Sequence, residues 1–215
     1  MTMEGENEHC FRGIGRGYWH AIASGLRPTP ERFAKSPDGW RLLLENDTDG
    51  HAFQSGGIAN ASEYKLMVGR YYYRFISTRQ YRTRGAESAL SGRWWLRNED
   101  VTVLRHLAEK WGESLAVVAG RALSIPSEWG DCAWLVRARL ACPMRAWAGI
   151  GGAASAGISP ANEARVPGNQ PVVAGLHGLD PILQLFVPGD FHQAGRTQTS
   201  DDGPFRFVDH EQVLH

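Results

Sequence analysis

The stretch Tyr71-Tyr72-Tyr73-Arg74-Phe75-Ile76-Ser77-Thr78-Arg79 constrains the fold more than any other part of the chain. Aromatic and β-branched residues make up most of it, a composition that predicts a strand buried along most of its length. The strand is expected to leave the core at Ser77-Thr78, where two hydroxyls bond to neighbouring backbone or brace a partner side chain. Read alone, a hydroxyl pair of this kind also ends many ordinary strands.

A chain of 215 residues with 42% hydrophobic content is long enough to bury a full core. We expect one domain over residues 1–215, with its core at about 9–188 and a polar tail from 189 to 215. The fold class expected is α+β, with two packed, mainly antiparallel sheets and flanking helices. Formal charge balances at 23 basic against 23 acidic residues, which excludes a global field towards nucleic acid or acidic membrane. Locally, Lys65 to Lys110 holds ten Lys or Arg against Glu87, Glu99, Asp100 and Glu109. Cys10, Cys132 and Cys142 form neither an even disulfide set nor a zinc pattern, so no metal is expected. Met1 to Glu8 lacks the basic start and apolar run of a secretory signal, and no stretch reaches the length of a membrane span. The expectation is a cytoplasmic protein, or a secreted or delivered effector that needs no cleaved signal, without a membrane partner.

In chain order, His9 to Ile14 reads as a short strand that ends near Arg12, followed by a Gly-rich turn and a helix from Tyr18 to about Ser24. That turn lacks the context of a dinucleotide-binding fingerprint. Asn46 to Asn60 reads as loop. Gly92 to Leu96 reads as a strand, and Asn98 or Asp100 caps a helix carrying Val101, Leu104, Leu107, Ala108 and Trp111. Ala116 to Leu123 extends it past a break at Gly112. Cys132 to Cys142 alternates as a long strand; Gly149 to Pro160 reads as a mobile connection. Val172 to Ala174, Ile182 to Val187 and Phe205 to Val208 complete the strands.

Phe11-Arg12-Gly13, Phe75-Ile76-Ser77-Thr78-Arg79 and Glu163-Ala-Arg-Val-Pro-Gly168, in that order, resemble the Arg/Ser-Thr-Ser/Glu class of mono-ADP-ribosyltransferases, nearest the cholera-toxin A subunit and the pierisin group. Ala23 to Pro28 resembles the helix exit that follows the arginine. The resemblance covers Phe11 to about Phe186. It implies an NAD-dependent transfer of ADP-ribose to a macromolecule, in a toxin or effector that an inhibitor protein can accompany. It names Glu163, Arg12 and Ser77 as catalytic, and Arg12, Gly13, Ser77, Thr78, Tyr81 and Trp94 as contacts to NAD, with Trp95 a further choice for the nicotinamide ring. NAD is a substrate here and no metal is implied. Two departures matter: Arg79 replaces the third hydroxyl, and Ala161 stands where arginine-modifying members carry glutamate and DNA-modifying members glutamine. The acceptor expected is therefore nucleic acid, DNA or RNA, before protein arginine. NAD hydrolysis without an acceptor, and a non-catalytic binding module using the basic segment Arg79 to Arg105, remain open alternatives.

Overall fold

The computed structural model describes residues 6–25, 33–36, 39–42, 56–125, 130–152, 154–155, 165–166, 181–189 and 203–214. Glu163, Ala161 and the stretch Val172–Ala174 lie outside the described residues. The class is α+β, as expected.

A 3-10 turn at Glu8–Phe11 leads into α1 (Gly13–Ala23). The early strand expected around Arg12 is thus helical, and Arg12 is its N-cap. The apolar residues here recur at helical spacing, which places Trp19 and Ala23 against the core. Two short strands, β1 (Phe33–Ser36) and β2 (Gly39–Leu42), pair as a hairpin. Then come β3 (Ile58–Leu66), β4 (Tyr71–Ile76), α2 (Thr78–Arg84) and a 3-10 segment Ala86–Ser91, followed by β5 (Trp94–Arg97). Helices α3 (Asn98–Trp111) and α4 (Leu115–Ala122) are separate, because Gly112 turns left-handed at φ 64° and Ser114 starts a new N-cap. Strands β6 (Trp134–Leu140), β7 (Met144–Gly151), β8 (Ala154–Ser155), β9 (Arg165–Val166), β10 (Gln184–Phe186) and β11 (Phe205–Gln212) complete the order.

Seven strands form one antiparallel ladder in the order β11-β6-β4-β5-β10-β7-β3. Connection lengths prove that this ladder is bent. Leu140 and Met144 end strands four places apart, which a flat sheet would separate by about 19 Å. Four residues span at most about 14 Å. The link from Leu66 to Tyr71 joins another pair four places apart. The rings of Trp95 and Phe205 stack at 4.1 Å although their strands lie three places apart. The ladder therefore folds on itself about the three-residue pairing of β5 with β10, and its two halves pack as the two sheets of the expectation.

Each half carries its own helical cover. On the β6-β4-β5 side, α3 and α4 bury Val101, Leu104, Leu107 and Val118 against Leu96, Leu135 and Phe75. On the β10-β7-β3 side, α1 packs Trp19 and Ala23 against Ile58, Trp147 and Phe186. The Arg145 guanidinium fixes this side by bonding Glu8 at 2.7 Å and pairing with Glu63, which also accepts from Arg16 at 2.9 Å. Two readings need correction. Residues 149–151, expected to begin a connection, end strand β7, and Gly149 sits where a side chain would strike Ile58 and the backbone of Ala59 on β3. Likewise Ile58 to Asn60 belongs to β3, not to a loop. In the polar C-terminal stretch, β11 runs four residues past Val208, and Phe205 and Val213 are buried.

Candidate functional site

Among the described residues, the ladder opens between β4 and β5. Strand β4 pairs with β5 only at Tyr72 with Arg97 and Tyr73 with Leu96, and from Arg74 onward the two diverge. A cleft of about 390 Å³ occupies that opening. Its walls are Arg74 and Phe75 of β4, Trp94 of β5, Gln184 of β10, and the C-terminal ends of α1 (Ile22, Gly25) and α4 (Leu123, Ser124). Gly57 closes the rim against Gly25; at φ 76°, and with the backbone of Ser24 and Gly25 where a Cβ would stand, this position admits no side chain.

Arg74 is the one charged residue among the described lining. Its Nη1 donates to the Trp94 carbonyl at 3.2 Å, which bridges the gap between the diverging strands. Its Nε is buried and has no hydrogen-bond partner among the described residues. Burial lowers its pKa to about 10, so the guanidinium still carries its charge at neutral pH. A Cβ at Gly92 would overlap the Arg74 guanidinium, so a larger residue there requires that side chain to move. Gln184 is held by donating from Nε2 to the Leu123 carbonyl at 2.8 Å.

The residues expected from sequence fall in three places. Trp94 lines the cleft, half-buried, with its ring edge-on to Phe186 at 5.0 Å. Trp95 is only 1% exposed, and its ring stacks on Phe205, which leaves Trp94 as the ring open to a ligand. Ser77 and Thr78 follow directly on the end of β4, two and three residues past Phe75 of the cleft lining. Ser77 caps α2 by accepting from Gln80 N at 3.1 Å, and Thr78 N donates to Asp131 Oδ1 at 2.8 Å. Burial raises the Asp131 carboxyl, but the bonds from Thr78 and Ala133 more than offset this and hold it below the usual carboxylate range. Tyr81, on α2, is not among the residues lining the cleft; its ring stacks on Trp134 at 3.7 Å and its hydroxyl lies 3.2 Å from His210 Nε2.

Arg12 and Gly13 occupy the other end of α1 from the cleft, about 16 Å away for eleven residues. The Arg12 side chain is 61% exposed and pairs with Glu8 at 3.5 Å. The structure thus brings Trp94 and Arg74 together, sets Ser77 near them on the same strand, and holds Arg12 and Tyr81 elsewhere. Arg74, Gly92 and Gln184 were missed from sequence. The signal available was a charge in mid-strand within Tyr-Tyr-Tyr-Arg-Phe-Ile.

The cap gives one expected result: Ser77→Ala lowers stability by about 1 kcal/mol through the lost bond to Gln80 N, read as a fall of a few degrees in Tm. Among the described residues no cluster of His, Cys, Asp or Glu is suited to a metal, and no helix is long and apolar enough to cross a membrane.

No family model matches the chain, and no curated protein matches it. Among solved structures it is similar to Tne2, determined in complex with Tni2, at 13% identity and a TM-score of 0.39, over 72% of this chain and 92% of that one. It is also similar to Rhs1-CT, in complex with its cognate immunity protein RhsI1, at 10% identity and a TM-score of 0.39, over 73% of this chain and 84% of that one. Neither likeness bears on what this chain does.

Proposed function

We propose that the protein cleaves the bond between nicotinamide and ribose in NAD and transfers ADP-ribose to a macromolecular acceptor, nucleic acid before protein arginine. The cleft beside the diverging ends of β4 and β5 carries this reading, because the Trp94 ring and the Arg74 guanidinium both line it, close along the chain to Ser77-Thr78. Nicotinamide in NAD is a cationic ring, and a cation is favoured over an indole face and beside helix C-terminal carbonyls. Trp94 and the ends of α1 and α4 offer both. The pyrophosphate calls for forked, charge-assisted donors, which arginine supplies.

In the reaction the C1′–N1 bond breaks, nicotinamide departs neutral with the bonding pair, and positive charge develops on the ribose. A carboxylate facing that sugar stabilises the transition state more than the ground state, the role we assign to Glu163. The acceptor's lone pair closes the bond to C1′, and its proton passes to solvent. Ser77 and Thr78 stiffen the strand end beside the cleft. The role of toxin or delivered effector, with an inhibitor protein as partner, rests on the family resemblance.

The absent acidic or amide residue at Ala161 favours a second reading, NAD hydrolysis with water as the acceptor. Incubating the protein with labelled NAD and a panel of DNA, RNA and protein separates the two. Label on an acceptor supports transfer, and free ADP-ribose with no labelled acceptor supports hydrolysis. A chain that releases no nicotinamide under any condition refutes both.

A further inference from the structure

We propose that Arg74 is the anion-binding residue of the cleft and that it grips a phosphate of a nucleotide whose ring lies against Trp94. This deepens the reading above by naming a residue and the part of the dinucleotide it holds.

A charged group removed from water requires partners, and a guanidinium short of them raises the free energy of the fold. Arg74 meets a single backbone carbonyl, while its buried Nε points to no acceptor among the described residues. Arg97 is held bidentate by Asp100 and Arg145 pairs with Glu8 and Glu63, whereas Arg93 shares a buried Nε without a partner among the described residues but lies 4.9 Å over the Trp19 ring and does not line the cleft. No carboxylate appears among the described residues that line the cleft. The carbonyl ends of α1 and α4 attract the guanidinium, so a structural role as a counter-charge is the competing account.

Two further features favour a ligand. Gly92 leaves open the space that the guanidinium fills, since a Cβ there would overlap it. The volume of about 390 Å³ lies in the range of small-molecule sites, and its walls are mostly apolar with few polar groups. A phosphate suits the arginine better than a carboxylate does here, because the neighbouring Trp94 ring provides a face for a base or a nicotinamide joined to it.

Calorimetric titration with ADP-ribose and with inorganic pyrophosphate tests this. The wild type binds both, and Arg74→Met weakens ADP-ribose at least tenfold while Tm stays level or rises, since an under-partnered charge has been replaced by an apolar chain of similar length. Should Arg74→Met lower Tm, Arg74→Lys decides: it keeps charge and stem but loses the fork, and a tenfold or greater loss of affinity at the wild-type Tm supports the assignment. Wild-type affinity in either folded variant overturns it. So does a wild type that binds neither compound, or one that binds succinate in preference to pyrophosphate. Nicotinamide release separates this inference from the proposed function. ADP-ribose binding through Arg74 with no turnover overturns the transferase and leaves the site, whereas turnover at the wild-type rate in Arg74→Met overturns the site and leaves the transferase.

Discussion

Asp100→Ala lowers the stability of this protein by about 3–5 kcal/mol, a fall in Tm on the order of 10 °C or more for a domain of this size. The carboxylate is 2% exposed and serves four donors at once. It accepts from Arg97 Nε at 2.7 Å, from Arg97 Nη2 at 2.8 Å, from Arg97 N at 3.0 Å and from Leu183 N at 2.9 Å. The first three fix the turn from β5 into α3, and the hydrogen bond to Asp100 raises the Arg97 pKa above its ordinary value. The fourth reaches the residue just before β10, so one side chain ties the β4-β5 half of the ladder to the strand that begins the other half. Alanine leaves the Arg97 guanidinium and a backbone N–H without their acceptor, and such orphaned groups cost more than the bonds themselves contribute. Asp100→Asn keeps the shape and loses the charge, so its loss is smaller. Thermal unfolding of both variants measures the difference, and an Asp100→Ala protein within a degree or two of wild type refutes the clamp.

Glu163→Ala slows nicotinamide release by on the order of 100- to 1,000-fold. The expected loss comes from removing an electrostatic partner of the sugar as positive charge develops on it. Glu163→Gln retains the size and the hydrogen-bonding reach but not the charge, and it falls nearly as far. The measurement is the initial rate of nicotinamide release from NAD, with Tm followed in parallel. Unchanged Tm with lost rate locates the effect in the chemistry. A Glu163→Ala protein that works at the wild-type rate removes the acid from the mechanism and the transferase reading with it.

The parts of the fold legible in the sequence were those where one periodicity ruled. The spacing from Val101 to Trp111 marked α3, and alternation in Trp134 to Leu140 marked β6, because each buries a regular face. Sequence reasoning failed where a local composition had a non-local cause. Gly149 and Gly151 look like linker residues, yet Gly149 is small because β3 approaches it, and that approach is set by a partner strand more than eighty residues away. Around Arg12 the residues Cys10 and Phe11 suggested a strand, although their burial comes from packing on Trp147 and Phe186 beside a helix start. In the site, Ser77 and Thr78 were recognisable at a strand end, and Trp94 at a cleft wall was among several rings that sequence could not rank. Arg74 was hidden by its neighbours, since a charge inside an aromatic run reads as a strand's wet face until the ladder is seen to open beside it.

The bent ladder also sets the timing of assembly. Strand β11 holds an outer place beside β6, and its first residue, Phe205, inserts between Trp95 and Tyr72 near the centre of the inner layer. β3 waits for β7, and β5 for β10, so nearly every rung links distant parts of the polymer, a topology associated with folding over milliseconds to seconds. A ribosome-bound chain whose residues 205–212 are still in the exit tunnel keeps Trp95 uncovered. Trp95 also borders the cleft, so the wall it contributes is set only once β11 has paired with β6.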